Sequence, residues 1–220
     1  MTIAVEVLPT AQQAARHAAA LVAERVRAAA AARGRCAVAF SGGSTPASML
    51  RALADEDVPW ASVTVYQADE RIAAAGHPDR NLTTLLSSLP ADARASIRPM
   101  PVEELDLERA TTGYAELLPE RLDLVHLGLG ADGHTASLVT GDPALGVRDR
   151  PVTVTEEYHG RRRMTLTYPA LEAAREILWL VTGGDKRDAL RRLVERDAEI
   201  PASRIANPAQ LVVADDAALG

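Results

Sequence analysis

Along this chain of 220 residues, short apolar runs alternate with longer stretches of helical spacing. The opening segment Thr2–Leu8 is strand-like, with apolar and polar positions alternating over Ile3–Leu8. Thr10 can cap a long helix over Ala11–Arg33. Its apolar stripe is Ala14, Ala18, Leu21, Val22, Val26 and Ala29, and Gly34 stops it. Cys36–Phe40 is an unbroken apolar run, which suits a strand buried on both faces. Ser41–Pro46 then forms a tight turn, with Pro46 suited to the first turn of a helix over Ala47–Ala54. The rhythm repeats with a strand over Val63–Gln67, a long loop Ala68–Arg80 and a short helix Asn81–Ser88. A helix over Glu103–Leu118, a buried strand Leu122–Leu127 and a glycine-rich loop Gly128–His134 follow. Val152–Thr155, Arg163–Thr167 and Ile177–Thr182 read as strands. Gly183-Gly184 leads into a helix over Asp185–Arg196, and Leu211–Val213 is the last strand.

Strands alternating with helices predict an α/β fold in which a mainly parallel sheet carries helices on both faces. The pattern shows no internal repeat and no long linker, so residues 1–220 are expected to form a single catalytic domain. In such a sheet, ligands bind beyond the carboxyl ends of the strands. The four notable loops, Ser41–Pro46, Ala68–Asn81, Gly128–Ser137 and Gly183–Lys186, all leave predicted strand ends, which argues for one composite site.

Composition narrows the function. The net charge is -6, and the one basic run, Arg161–Arg162–Arg163, is too short for a duplex-binding face. No apolar stretch approaches a membrane span, and the N-terminus lacks the pattern of a secretory signal, so a cytoplasmic protein is expected. The lone Cys36 reads as a small buried hydrophobe. Aromatic residues are only 3%, so the core must rest on aliphatic side chains and alanine. Basic charge comes from 23 arginines and a single lysine, Lys186, beside 42 alanines. That bias suggests a GC-rich coding sequence and draws attention to the one lysine that survives it.

Each loop has chemistry to offer. Ser41, Gly42, Gly43, Ser44 and Thr45 combine glycines, small hydroxyls and a helix N-terminus, which favours a phosphate or carboxylate. No Gly-Lys-Ser/Thr follows, so this is not a Walker A loop. Asp69-Glu70-Arg71, with Asn81 ten residues on, can divide between a carboxylate that orients water or a sugar hydroxyl and a guanidinium that grips phosphate. Alone, the triplet would read as a solvated ion-pair cluster. Gly128–Gly133 contains Gly-x-Gly-x-x-Gly, but Gly141 and Pro143 break any following helix, against a dinucleotide site. The glycines instead present His134, whose residue type is a suitable general base at neutral pH. His17, His77, His126 and His159 read as structural or exposed. Lys186, on the first turn of its helix, could reach an anion.

Taken together, Ser41–Pro46, Trp60, Asp69-Glu70-Arg71 with Asn81, Asp123–Leu138, Arg163–Thr167 and Thr182–Lys186 resemble, in order and spacing, the glucosamine-6-phosphate isomerase/6-phosphogluconolactonase family, and its lactonase branch in particular. The likeness covers nearly the whole chain. Its most specific element is Asp132-Gly133-His134-Thr135-Ala136-Ser137-Leu138. The resemblance implies a modified Rossmann-like α/β/α sandwich and metal-independent, cofactor-free hydrolysis of a sugar phosphate lactone, 6-phospho-D-glucono-1,5-lactone. The protein is expected as a monomer or small homo-oligomer, with no nucleic acid or membrane partner. His134 is then the base that activates water, and Asp69 orients the water or His134. Arg71, Arg163 and Lys186, with Ser41–Thr45, hold the phosphate. Asn81, Gly130, Asp132 and Gly133 complete the substrate site, and the backbone N–H groups of Gly130–Gly133 are candidates for the oxyanion. The chain departs from the family pattern at Ala68, Arg80 and Val139-Thr140, which flank these residues. The alternatives are an amino-sugar phosphate deaminase or isomerase of the same fold and a non-catalytic sugar-phosphate sensor. The deaminases place a glutamate where Val139 stands and Asp-Glu-Tyr where this chain has Asp69-Glu70-Arg71. A sensor would need a separate DNA-binding segment, for which no residues remain.

Overall fold

A seven-stranded sheet forms the centre of the computed structural model, which describes residues 3–220; its inner strands are buried on both faces, while the edge strand nearest the N-terminus is largely exposed. Thr2, the first residue of the expected opening strand, lies outside them. In chain order the elements are β1 (Ala4–Leu8), α1 (Ala11–Arg33), β2 (Cys36–Phe40), α2 (Ser44–Leu53), β3 (Val63–Gln67), β4 (Asp69–Arg71), α3 (Asn81–Ser88), α4 (Ala91–Arg94) and β5 (Ile97–Arg98). They continue with α5 (Leu107–Leu117), β6 (Leu124–Leu127), β7 (Val152–Val154), β8 (Arg163–Leu166), α6 (Tyr168–Ala173), β9 (Ile177–Val181), α7 (Arg187–Val194), β10 (Gln210–Asp215) and α8 (Asp216–Leu219). The main sheet runs β1-β10-β9-β6-β2-β3-β5, with every neighbouring pair parallel.

The alternation of side chains across these strands builds two apolar layers. On β9, Ile177, Trp179 and Val181 face a layer with α5, α6, α7 and α8, while Leu178 and Leu180 face α1, α2, α3 and α4. The α1 stripe is mostly alanine: Ala14, Ala15, Ala18, Ala19 and Ala23 are all buried. Small side chains let this helix approach the sheet closely, which is how a chain poor in aromatics fills its core. Thr10 caps α1 by accepting from the Gln13 N–H, and Gly34 closes it at φ 71°. Cys36 lies in the same layer, and burial pushes its thiol up to about 12, so it behaves as a hydrophobe.

Several expected boundaries shift. The segment 68–80, expected as loop, begins with β4, because Ala68 diverts the chain out of the main sheet. Its N–H still reaches Phe40 O, while its carbonyl accepts from Leu166 N in β8. β4, β8 and β7 then form a second, antiparallel sheet that the strand pattern did not foretell. The helix expected over 103–118 starts only at Leu107, where Asp106 caps it by accepting from Arg109 N. α2 starts at Ser44, three residues earlier than expected, because Pro46 fits its first turn.

His126 on β6 is fully buried, and neither ring nitrogen has a partner among the described residues. Burial lowers its pKa from 6.5 to about 3. The unfolded chain therefore binds a proton that the folded protein refuses, and stability falls as the pH drops from 6.5 toward 3. The slope is about 1.4 kcal/mol per pH unit. Relative to the parent, His126→Leu is expected to gain about 2 kcal/mol more at pH 5 than at pH 7.5. Urea unfolding at the two pH values measures this, and a gain independent of pH would refute it.

Candidate active site

The order of the main sheet turns back at β2: the chain moves from β2 to β3 and β5 on one side, then returns to place β6 on the other. Ligands of open α/β sheets gather at such a switch point. Here the loops after β2 and β6 leave side by side, joined by Ser41 N donating to His126 O. A cleft of about 240 Å³ opens between them. It is lined by Ser41, Gly42, Gly43, Ser44, Thr45, Asp69, Arg71, Asn81, Gly130, His134, Arg163 and Lys186, so twelve of the fourteen expected site residues converge. Asp132 and Gly133 are not in its wall. The Gly133 backbone, at φ 81°, instead lies where a Cβ would stand 2.4 Å from Ile200 Cβ. Leu129, Ala136 and Thr182, motif positions to which the expected site gave no role, also line it. Of these, Thr182 meets Thr45 hydroxyl to hydroxyl at 3.0 Å.

Glu70 explains why Asn81 and Asp69 sit in this wall. Its side chain is wholly buried and accepts from the backbone N–H of Arg71, Asn81 and Leu82 and from Gln67 Nε2, all within 2.9 Å. Arg80 Nε lies 3.1 Å from the same carboxylate. Glu70 thus caps α3 from a distance, supplying the acceptor that the helix N-terminus lacks locally. Asn81, fixed at that terminus, donates its Nδ2 to Asp69 O and Oδ1. A Cβ on Gly42 would fall 1.9 Å from Asn81 Oδ1, so only glycine fits there.

Asp69 is buried, and its other oxygen accepts from Ser137 Oγ at 2.7 Å. Burial raises its carboxyl above the usual range, against the Ser137 hydrogen bond and the Arg71 charge. In the second sheet Arg71 stands directly opposite Arg163. Like charges in cross-strand register repel, yet both side chains line the cleft. Both Nε atoms are buried without a partner among the described residues. Burial also lowers the Arg163 guanidinium from its ordinary value. Two guanidiniums so placed form a receptor for an anion with several oxygens. Lys186 reaches the cleft from the turn after β9, and Asp215 fixes that turn by accepting from Gly183 N at 2.9 Å.

His134 is held on the rim. Its Nδ1 is 2.5 Å from Asp132 Oδ1, not bonded to Asp69, and a Cβ on Gly130 would clash with the ring at 2.1 Å. Burial pushes the Asp132 carboxyl up, but the hydrogen bonds and charge of His134 outweigh it and hold the group below the usual carboxylate range. The Gly130 and Gly133 N–H groups donate to His134 O and Gly130 O. They are therefore spent inside the loop, and the expectation that they bind an oxyanion fails for these two. Of the arginine run, only Arg163 enters the cleft. Arg161 pairs with Asp79 and Arg162 donates to Thr155 O.

A family model described as glucosamine-6-phosphate isomerases/6-phosphogluconolactonase matches residues 9–214. A curated 6-phosphogluconolactonase of Synechocystis sp. is 37% identical, with 81% of this chain and 79% of that protein covered. The crystal structure of a putative 6-phosphogluconolactonase from Neisseria gonorrhoeae superposes with a TM-score of 0.86 at 24% identity, covering 97% of this chain and all of the other. A monomeric glucosamine-6-phosphate deaminase superposes with the same TM-score at 18% identity, covering 98% of each chain. At those identities the superpositions speak for the fold, and the fold alone does not separate the two chemistries.

Removing one partner from a buried charge network leaves the others unpaired. Glu70→Gln is expected to cost about 3 kcal/mol in urea unfolding. A loss under about 1 kcal/mol would show that the carboxylate is not what anchors α3.

Proposed function

The chain belongs to the glucosamine-6-phosphate isomerase/6-phosphogluconolactonase family, and we propose that it hydrolyses 6-phospho-D-glucono-1,5-lactone to 6-phospho-D-gluconate, the lactone step of the pentose phosphate pathway's oxidative branch. The observation that carries this reading is one cleft containing both an anion receptor, Arg71 opposite Arg163, and an imidazole held by a carboxylate.

A δ-lactone is an activated ester, so a positioned water and a base suffice without a covalent nucleophile. With Asp132 on Nδ1, the tautomer with hydrogen on Nδ1 leaves the Nε2 lone pair free. Nε2 takes a proton from water as the oxygen attacks C1. The tetrahedral intermediate then expels the ring oxygen, which recovers the proton. Arg71, Arg163 and Lys186, with the Ser41–Thr45 loop, hold the 6-phosphate, so that remote binding energy sets the position of C1. Because Asp132 already orients the imidazole, Asp69 is left to orient the water or a sugar hydroxyl. Asn81 and Ser137 keep its carboxylate in the wall.

Deamination of an amino-sugar phosphate is the second reading, since that chemistry shares the fold. The position where the deaminases carry a ring-opening glutamate is the buried, apolar Val139, which favours the lactonase. Offered both the lactone and glucosamine 6-phosphate, the purified protein is expected to accelerate only lactone loss. Ammonia release without that acceleration would overturn the reading.

His134→Ala is expected to lower kcat by about 10²–10⁴ with substrate binding largely kept. An unchanged kcat would remove His134 from the mechanism. Lys186→Ala is expected mainly to raise KM for the phosphorylated lactone, and to affect unphosphorylated gluconolactone little. Equal loss with both substrates would show that Lys186 does not hold the phosphate.

A further inference from the structure

Between β7 and β8 the chain reverses over a two-residue turn. Tyr158 N donates to Arg161 O at 3.0 Å, and the central residues His159 and Gly160 have φ 52° and 75°. Positive φ at both positions is the type I′ pattern, whose twist matches the strands it joins. Histidine is an unusual occupant of the first position, and its ring packs on Tyr158 with centroids 4.1 Å apart. The turn holds Tyr158 against both halves of the active site. Its hydroxyl donates to Asp132 Oδ2 at 3.0 Å, the oxygen not used by His134. Its ring meets the His134 ring edge to face, with centroids 5.6 Å apart. The Arg163 guanidinium lies over the Tyr158 ring, 4.9 Å from its centre, and donates from Nη2 to Tyr158 O at 3.3 Å.

We propose that Tyr158 is a positioning residue that ties the phosphate-binding Arg163 to the Asp132–His134 pair. The proposal rests on the lactonase reading above. The physical need is plain. Asp132 stands on a loop, with its side chain 45% exposed, and a carboxylate there is free to turn toward water. A donor on Oδ2 holds the group so that Oδ1 stays on His134 Nδ1. Burial and the neighbouring Asp132 both push the Tyr158 phenol up, so it keeps its proton and remains a donor. The face of the ring, meanwhile, supports Arg163 by a cation–π contact. One side chain thus has two separable functions: the hydroxyl serves the base, and the ring serves the anion clamp.

Those functions predict different kinetic signatures. Tyr158→Phe keeps the ring and loses the hydroxyl, so kcat is expected to fall about five- to tenfold with KM unchanged. Tyr158→Leu loses both, so KM for the phosphorylated lactone should also rise, by about threefold. In an Asp132→Asn background, Tyr158→Phe should add less than about twofold, because the hydroxyl acts through that carboxylate. Full kcat in Tyr158→Phe, or a loss that multiplies independently with Asp132→Asn, overturns the proposal while leaving the lactonase reading intact. Absence of lactonase activity in the parent, or full kcat in His134→Ala, overturns both. Thermal unfolding of each variant accompanies the kinetics. A Tm drop in Tyr158→Phe with kcat and KM both retained would make the hydroxyl merely structural and overturn the proposal.

Discussion

The site depends on one buried carboxylate. A fully desolvated acid costs several kcal/mol unless its oxygens are taken up. Glu70 meets that demand with three backbone N–H groups, the Gln67 amide and the Arg80 guanidinium. Those donors belong to β3, β4, the residue before α3 and the start of α3, so satisfying one acid locks several segments into one arrangement. Asn81 and Asp69 inherit their positions from it, and Gly42 must be glycine because Asn81 is where it is.

The rest of the cleft follows from sheet topology. A parallel sheet whose order turns back at β2 opens two loops side by side, one with small hydroxyls and one with glycines that bring His134 to the rim. The diversion at Ala68 adds a second sheet whose antiparallel register sets Arg71 against Arg163. Such a pair is unfavourable without an anion and favourable with one, so the strand pairing itself builds an anion receptor. His134 belongs to the other half of the cleft, and Asp132 rather than Asp69 holds it.

Much of this was legible along the chain because it is local. The α1 stripe, its Thr10 and Gly34 ends, the apolar runs of β2, β6 and β9, and the clustering of loops at strand ends all follow from short-range pattern. Small elements were not legible. β4 and β5 are short, and their pairing partners lie far along the chain or, for β5, beyond a helical excursion. α6 and α8 offer fewer than two turns of pattern each. Tyr158 left no signal either, since a tyrosine beside His159-Gly160 reads as an ordinary turn until the fold brings Asp132 to its hydroxyl.

The α/β alternation, the strand ends that carry chemistry and the residue types available there are set locally along the chain, because they depend on side-chain periodicity and on glycine and proline geometry. Which carboxylate serves which partner follows only from the folded arrangement. Asp69, Glu70 and Asp132 are chemically alike, and only long-range packing made the first a cleft wall, the second a buried cap and the third the holder of His134. Hydrogen bonding between residues distant in sequence carries no periodic trace, so those assignments appear only when the chain is folded.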